Sequence, residues 1–296
     1  MAKTFRSAEG KRLLLESYDK LLQAWDVPYE ERAIDTRFGD THIITAGETS
    51  NPPLLLFHGI GDNSAIMWIH NMKILSTRFH VIAIDTLGGP GKSIPNDSYA
   101  KKFDSVLWID DLLEALEMEK AHMAGVSHGV TLILGYAIHR PERVLKLVGM
   151  AGAFPVKGWV SRWSTLKSLS VFFPEMLFPG EKSAIRLLKK LSGPKFDPEV
   201  NKELLTHFVY ILKYSIPPKR KIAEFAPEDL LSLKDRLIFM IGKYDPVAYQ
   251  SPMLKFYDHY RLPYKIVEDA GHTLNSEKAE VINKEMIDFL LPAQNF

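Results

Sequence analysis

The sequence predicts an α/β protein with a mostly parallel sheet, flanking helices and an inserted helical cap. Short apolar runs alternate with helical segments, and runs without polar alternation are typical of parallel strands that are buried on both faces. Between about residues 153 and 230 this alternation stops, and aromatic residues and prolines accumulate. We therefore expect residues 1–152 and 231–296 to form the core and residues 153–230 to form the cap.

The N-terminal region predicts a helix followed by a hairpin. Apolar side chains recur at helical spacing between residues 10 and 25, which indicates an amphipathic helix lying on the core. Residues 31–46 alternate polar and apolar side chains around a turn at Phe38-Gly39-Asp40. This alternation is typical of an antiparallel hairpin.

The parallel strands and the helices between them follow from the later apolar runs. Helices are expected over 104–117 and 129–139, and the second must end before Pro141 because a residue that precedes proline disfavours the helical conformation. The six runs predicted to be strands are Leu54–Phe57, Val81–Ile84, His122–Val126, Val144–Met150, Leu237–Ile241 and Tyr264–Val267.

The composition narrows the class of function. The chain has 37 basic and 36 acidic residues, so it lacks the basic excess that binds nucleic acid or an anionic membrane. It has no cysteine, which excludes disulfides, a cysteine nucleophile and thiolate metal sites. The apolar run Leu13–Leu15 is too short for a secretory signal, and no run approaches the roughly 18 residues that span a bilayer. We expect a cytoplasmic protein without nucleic-acid or membrane partners, while its oligomeric state stays open.

One pentapeptide predicts a nucleophilic serine. Gly125-Val126-Ser127-His128-Gly129 follows an apolar strand and begins a helix, which is the context of a nucleophile elbow. The serine of such an elbow lies on a tight, strained turn, so the residues two positions before and after it must be small. We therefore predict that Ser127 is the nucleophile.

A histidine near the C-terminus is the expected base, because a hydroxyl is a weak nucleophile near neutral pH without one. In this arrangement the acid and then the histidine follow the serine along the chain. Of the ten histidines, His259 and His272 follow the candidate acid, Asp245. His259 falls in a predicted helix, whereas His272 lies in the loop after the last strand, so we predict His272 as the base.

Asp245 is the predicted acid because it lies at the end of the preceding strand, in Gly242-Lys243-Tyr244-Asp245. A carboxylate there can hold the imidazole in the correct tautomer and stabilise the imidazolium. Glu268 and Asp269 are alternatives, but they are too close to His272 along the chain to come from a neighbouring strand. An ordinary turn aspartate is the other interpretation of Asp245.

The loop His58-Gly59-Ile60-Gly61, which follows the first parallel strand, predicts an oxyanion hole. A developing oxyanion needs two preorganised N–H donors, one from the residue after the nucleophile and one from the loop after an early strand. The expected donors are the backbone N–H groups of Ile60 and His128. The His58 side chain is expected to have a structural hydrogen-bonding role.

Together these motifs resemble the α/β-hydrolase family, and the resemblance covers the whole predicted core. Phe57-His58-Gly59 resembles the oxyanion loop of that family, and Pro141-Glu142-Arg143-Val144 resembles the segment before its sixth strand. The stretch from Asp85 to Ser93 resembles the D-x-x-G-x-G-x-S loop, with one additional residue within Gly88–Gly91. The resemblance implies acyl transfer by a Ser-Asp-His triad that needs neither a metal nor a cofactor.

The chain length, the absence of cysteine and the aromatic cap are similar to those of small Bacillus carboxylesterases that hydrolyse naproxen-type esters. The resemblance implies a serine carboxylesterase that acts on esters of hydrophobic or aromatic carboxylic acids through an acyl-enzyme on Ser127. The residues expected to contact this small-molecule substrate are Met67, Trp68, Phe154, Trp159, Trp163 and Phe172. Burial for packing alone is the alternative for each of them.

Other functions fit the motifs less well. Dehalogenases and epoxide hydrolases of this fold carry aspartate at the elbow, so Ser127 favours acyl transfer. Hydrolysis of a carbon–carbon bond, a thioester or a peptide and a non-catalytic binding protein are the alternatives. The loop from Gly59 to Ser64 imitates a dinucleotide fingerprint but lacks its third glycine. Gly91-Lys92-Ser93 ends like a phosphate-binding loop, but Thr86 stands where the first glycine belongs.

Overall fold

A nine-stranded sheet forms the centre of the protein. The computed structural model describes residues 3–152, 156–157, 170–173, 175–218, 223–248 and 251–291. The strands in these residues are β1 (Glu30–Thr36), β2 (Gly39–Ala46), β3 (Pro53–Phe57), β4 (His80–Ile84), β5 (Ile94–Pro95), β6 (Ala121–Val126), β7 (Val144–Met150), β8 (Leu237–Gly242) and β9 (Tyr264–Val267). Their order across the sheet is β1-β2-β4-β3-β6-β7-β8-β9, with β5 paired to β2.

Helices connect the strands. They are α1 (Ala8–Gln23), α2 (Ser64–Met67), α3 (Met72–Leu75), α4 (Asp97–Lys102), α5 (Ser105–Ala115), α6 (His128–His139), α7 (Glu181–Leu191), α8 (Lys202–Tyr214), α9 (Pro227–Leu231), α10 (Ser251–Tyr260), α11 (Leu274–Glu277) and α12 (Ala279–Leu290). In the described part of the chain, none of them is both long enough and apolar enough to cross a membrane.

The strand pairing confirms the predicted α/β class. β1 and β2 form the expected antiparallel hairpin, in which Thr36 lies opposite Gly39. β2 is also antiparallel to β4, whereas the neighbours from β4 through β9 are parallel. The six predicted parallel strands are all present, and their ends differ from the predicted ones by one residue at most.

The continuous apolar runs arise because each central strand is covered on both faces. Leu55 and Phe57 of β3 belong to one buried cluster, whereas Leu54 and Leu56 belong to a second cluster. Since successive side chains of a strand point to opposite faces, the two clusters lie on the two sides of the sheet. A polar residue at any of these positions would therefore be buried, which explains why the runs lack alternation.

The segment between β7 and β8 contributes two longer helices in the described residues, α7 and α8. They pack against each other through a small buried cluster that includes Ala184, Leu205 and Val209. α8 also packs on α1, where a side chain larger than hydrogen at Gly10 would overlap the ring of Tyr214. The division into a core and a cap at residues 153 and 230 stays a prediction.

The buried carboxylate of Asp85 connects several of these elements just beyond the end of β4. Its oxygens accept hydrogen bonds from the Tyr18 hydroxyl of α1 and from the backbone N–H groups of Ser64 and Lys92, each at 2.9 Å. The Nδ1 atom of His42 lies 3.2 Å away. Burial alone would raise the pKa of Asp85, but the hydrogen bond and charge of His42 hold that pKa well below its usual range.

The loop with the additional residue, Gly88–Gly91, folds around this carboxylate. A Cβ atom at Gly91 would overlap the Asp85 side chain, and a Cβ atom at Gly88 would overlap the Tyr99 hydroxyl. Gly88 also has a φ of +79°, which disfavours other residues. This position makes the loop a support for Asp85. Its residues are not among the described residues that line the cavity at Ser127.

We expect Asp85→Asn to destabilise the protein by about 2–4 kcal/mol, because an amide cannot accept all of these hydrogen bonds at once. Urea unfolding monitored by circular dichroism measures the loss. Asp288→Asn is the matched control, because Asp288 pairs with Lys284 on α12, where both side chains are exposed, and its loss should cost much less. Equal stability of the two variants would contradict the structural role assigned to Asp85.

Candidate active site

Ser127 lies on a strained turn between β6 and α6. Its backbone has φ 53° and ψ −113°, a conformation that residues other than glycine rarely adopt. The turn is held by two backbone hydrogen bonds, from the Ser127 N–H to the Met150 oxygen at 2.8 Å and from the Val130 N–H to the Ser127 oxygen at 3.0 Å. Strain that the surrounding structure maintains in this way is characteristic of functional turns.

The glycines on either side of Ser127 permit the close packing of this turn. A Cβ atom at Gly125 would overlap the backbone of Gly129, and a Cβ atom at Gly129 would overlap the carbonyl oxygen of Phe57 at the end of β3. The two glycines therefore bring the start of α6 against the ends of β6 and β3. This contact explains why both positions of the pentapeptide are glycine.

His272 and Asp245 form a buried pair beyond the ends of β9 and β8. The Nδ1 atom of His272 lies 2.9 Å from Oδ2 of Asp245. The other carboxylate oxygen, Oδ1, accepts hydrogen bonds from the backbone N–H groups of Val247 at 2.7 Å and Ala248 at 2.9 Å. Because Nδ1 donates to the carboxylate, Nε2 is the ring nitrogen of His272 that is able to accept a proton.

Burial and neighbouring charges have opposite effects on the pKa of His272. Burial alone would lower the pKa of His272, but the charge of Asp245 and the hydrogen bond to it raise that pKa above its usual value. Glu277 and Asp62 add to the increase through their charges. The pair thus has the geometry and the electrostatics that stabilise an imidazolium.

Close backbone contacts and Glu277 hold the loop that carries His272. The His272 N–H donates to the Leu191 oxygen at the end of α7 at 2.5 Å, and a Cβ atom at Gly271 would overlap that same oxygen. Glu277 accepts hydrogen bonds from the Gly271 N–H at 2.9 Å and the Gly193 N–H at 2.6 Å. Glu277 was missed from the sequence, because nothing in its local pattern marks it as a partner of these glycines.

The predicted oxyanion loop lies beside Ser127. A Cβ atom at Gly59 would be 3.4 Å from the Ser127 Cβ, and Ile60 lines the same cavity as Ser127. His128 is the first residue of α6, where backbone N–H groups and the helix dipole favour negative charge. The His58 side chain has the expected structural role, because its Nε2 accepts from the Thr86 N–H at 2.9 Å and its Nδ1 lies 2.8 Å from the Gly59 oxygen.

A cavity of about 590 Å³ opens at Ser127 and His272. This volume lies within the range of small-molecule sites. Its polar contributors include Asp62, Asn275 and the ion pair of Lys195 with Asp269, whose charged atoms are 2.6 Å apart. The apolar part of the wall includes Ile66, Phe172, Leu187, Leu191, Leu204, Phe208 and Ile211.

The predicted substrate residues have three different outcomes. Met67 and Phe172 line the cavity, and their contact with substrate stays a prediction. Trp68 does not line it, because its side chain is fully buried in the core on one face of the sheet. The expectation for Trp68 is therefore corrected to a packing role. The others, Phe154, Trp159 and Trp163, lie outside the described residues.

Asp62 is an acid of the cavity wall that the sequence analysis did not assign to the site. Burial raises the pKa of Asp62 to about 7, although the hydrogen bond from the Asn63 N–H and the charge of His272 favour its ionised form. The Asn63 N–H donates to Oδ1 of Asp62 at 2.9 Å. The sequence signal that could have indicated Asp62 is its position two residues after Ile60, the expected oxyanion donor.

The chemistry of this arrangement needs a serine, an imidazole and a carboxylate. Among the described residues, no group of three or more His, Cys, Asp or Glu side chains has the geometry of a metal site. Ser127 and His272 contribute to the same cavity, and Asp245 lies behind the imidazole. A hydroxyl activated by an oriented imidazole can attack an electrophilic carbon bound in such a cavity.

Known proteins with similar sequences and structures include carboxylesterases. A family described as alpha/beta hydrolase fold matches residues 52–279. Carboxylesterase YbfK of Bacillus subtilis is 27% identical over 298 residues, which cover 97% of this chain and 96% of that protein.

Two solved structures from Bacillus subtilis extend this similarity. The crystal structure of carboxylesterase CesB (YbfK) matches with a TM-score of 0.81 at 26% identity, over 97% of this chain and 100% of that one. Naproxen esterase (carboxylesterase NP) also matches with a TM-score of 0.81, at 22% identity, over 96% of this chain and 99% of that one, a likeness of fold. The resemblance stated from the motifs is confirmed.

We expect Gly129→Ala to destabilise the protein by about 2 kcal/mol or more, because the new methyl group overlaps the backbone of β3. Gly135→Ala is the matched control, since Gly135 lies in the same helix and a Cβ atom there meets nothing within 4 Å. That control should stabilise the protein by about 0.5–1 kcal/mol. Urea unfolding of both variants is the measurement, and a stable Gly129→Ala protein would contradict the close contact.

We expect Asp62→Asn to lower the pKa of His272, because the charge of the Asp62 carboxylate favours the imidazolium. NMR titration of the His272 ring signals measures this pKa. In the wild type these signals should respond to the titrations of both Asp62 and His272, whereas in the variant they should follow a single titration. Asp197→Asn is the control, because Asp197 lines the same cavity but is exposed to solvent. An unchanged or higher His272 pKa in Asp62→Asn would disprove the coupling.

Proposed function

The chain belongs to the alpha/beta hydrolase fold family and is a hydrolase that acts on esters, and we propose that it is a serine carboxylesterase that forms an acyl-enzyme on Ser127. The observation that carries the proposal is the buried pair of His272 with Asp245, 2.9 Å apart, in which the imidazole lines the same cavity as the strained Ser127. This is the arrangement that activates a hydroxyl for attack on a carbonyl.

In the first step, Nε2 of His272 accepts the proton of the Ser127 hydroxyl as its oxygen attacks the ester carbonyl. The tetrahedral intermediate carries a negative charge on the former carbonyl oxygen, and the N–H groups of Ile60 and His128 stabilise it. The carbon–oxygen bond to the alcohol then breaks, and His272 donates its proton to the leaving alcohol. The product of this step is an acyl group bound to Ser127.

In the second step, water replaces the alcohol. Nε2 of His272 accepts a proton from the water as its oxygen attacks the acyl carbon. Collapse of the second tetrahedral intermediate breaks the bond to Ser127, whose oxygen recovers the proton from His272. The carboxylic acid leaves, and throughout both steps Asp245 orients the imidazole and stabilises its charged form.

The wall of the cavity supports a hydrophobic acyl or aryl group as the preferred substrate. Phe172, Leu187 and Phe208 contribute apolar surface from the segment between β7 and β8. Ile66 and Met67 contribute apolar surface from α2, close to the expected oxyanion loop. Burying an apolar group against such a wall gains about 25 cal/mol for each Å² removed from water, which favours substrates with large apolar groups.

We expect Ser127→Ala to reduce ester hydrolysis by about a thousandfold or more, because the nucleophile is lost while the fold is kept. The measurement is the hydrolysis of p-nitrophenyl acetate, butyrate and octanoate by the two proteins. Octanoate and butyrate should have higher kcat/KM than acetate, because their acyl chains bury more apolar surface.

Ser276→Ala is the matched control, because Ser276 contributes to the same cavity but belongs to α11 and not to the turn between β6 and α6. The control should keep its activity and its labelling by a fluorophosphonate probe, whereas Ser127→Ala should lose both. Activity of more than a few per cent in Ser127→Ala would disprove the assignment of the nucleophile. A folded wild-type protein that neither hydrolyses these esters nor reacts with the probe would contradict the proposed function.

A further inference from the structure

A buried histidine connects α8 to the loop that carries the expected oxyanion donor. His207 is fully buried, and its two ring nitrogens have different partners. Nε2 lies 2.9 Å from the Nδ2 atom of Asn63, and Nδ1 lies 3.0 Å from the Oγ atom of Ser17 in α1. The imidazole thus bridges α1 and the residue before α2.

The hydrogen bonds around Asn63 determine which nitrogen of His207 carries the proton. The Asn63 Oδ1 atom accepts from the Ile66 N–H at 3.3 Å, and its Nδ2 atom donates to the Pro90 oxygen at 3.0 Å. Nδ2 is a donor only, so Nε2 of His207 must accept, and Nδ1 carries the proton and donates to Ser17. Burial lowers the pKa of His207 to about 3, so the ring is neutral near pH 7.

Asn63 ends the loop whose other end is His58. His58 accepts a hydrogen bond from the Thr86 N–H, so the first end of the loop is attached to the core. Between the two ends lies Gly61, which has a φ of +73° and no atom within 4 Å of an added Cβ. Ile60, the residue before it, is 48% exposed, so the part of the loop after Gly59 depends on the contacts that hold Asn63.

α8 also forms part of the cavity wall. Leu204, Phe208 and Ile211 line the cavity, and these residues lie three before, one after and four after His207 in the helix. The helix that contacts a bound acyl group is thus the one that bonds to the loop. A displacement of α8 would be transmitted to the loop through the His207–Asn63 hydrogen bond.

We propose that His207 is a positioning residue that holds the oxyanion loop in its reactive position through Asn63. The proposal rests on the proposed esterase function. His207 acts on the reaction only through the backbone of the loop, so its loss should weaken the stabilisation of the oxyanion while the acyl pocket is kept. A defect of this kind lowers kcat and leaves KM nearly unchanged, because the charge exists only in the transition state.

A matched pair of substitutions separates the two hydrogen bonds of His207. In His207→Gln, the amide oxygen can take the place of Nε2 and still accept from Asn63. In His207→Asn, the shorter amide can take the place of Nδ1 and still donate to Ser17, but the bond to Asn63 is lost. Both variants lose one hydrogen bond and part of the ring, so a role in stability alone predicts similar effects on activity.

We expect His207→Asn to lower kcat for p-nitrophenyl butyrate by about 10- to 100-fold, part of what complete loss of an oxyanion donor costs. His207→Gln should stay within about threefold of the wild type, and KM should change little in either variant. Ser17→Ala, which removes the other bond, should keep the wild-type kcat. Equal losses of kcat in the two His207 variants, or a normal kcat in His207→Asn, would overturn the proposal.

Hydrogen exchange of the peptide 58–64, followed by mass spectrometry, measures the position of the loop without turnover. We expect faster exchange in His207→Asn than in His207→Gln, and unchanged exchange in both would overturn the proposal. Inhibition by a trifluoromethyl ketone, whose adduct on Ser127 carries an oxyanion, should weaken in step with kcat. A wild type without Ser127-dependent activity but with this exchange difference would contradict the proposed function and leave the positioning role supported.

Discussion

The close approach of backbones at the turn of Ser127 is the constraint on which the rest of the site depends. Gly129 lies against the carbonyl oxygen of Phe57, and His58 follows that residue as the first member of the oxyanion loop. The contact of Gly129 with Phe57 therefore constrains both the backbone of Ser127 and its position relative to the oxyanion loop. The strained φ of Ser127 is stable because β6, β3 and the start of α6 determine the positions of both its neighbours.

A close contact between two backbones also positions His272. A Cβ atom at Gly242 would overlap the backbone of Gly271, so the end of β8 and the loop after β9 meet without a side chain between them. Asp245 follows the first of these two backbone segments and His272 follows the second. Their side chains are therefore close enough to form a hydrogen bond. The glycine contacts thus bring the two backbone segments together. Hydrogen bonds then orient the two residues, because the loop of His272 donates to Glu277 and the amides of Val247 and Ala248 donate to Asp245.

A feature could be predicted from the sequence where a single chain segment contains all of the evidence for it. The parallel strands could be predicted because burial on both faces leaves a continuous apolar run, and Ser127, Asp245 and His272 could be singled out because each follows a strand. Trp68 was misjudged because it directly follows a helix of four residues, which is too short for the sequence pattern to show which way a side chain points. The bond between Asn63 and His207 joins residues that are 144 positions apart, and no local pattern pairs them.

Two bridges tie α1 to the oxyanion loop, and their arrangement explains why buried polar groups are tolerated there. Ser17 and Tyr18 are neighbours in α1, and Asn63 and Ser64 are neighbours where the loop ends and α2 begins. His207 joins Ser17 to Asn63, and Asp85 joins Tyr18 to Ser64. Burial of these groups has a desolvation cost, which their hydrogen bonds offset. A shift of α1 by one residue would break the bond of Ser17 to His207 and that of Tyr18 to Asp85. The bridges therefore favour one position of α1 relative to the oxyanion loop.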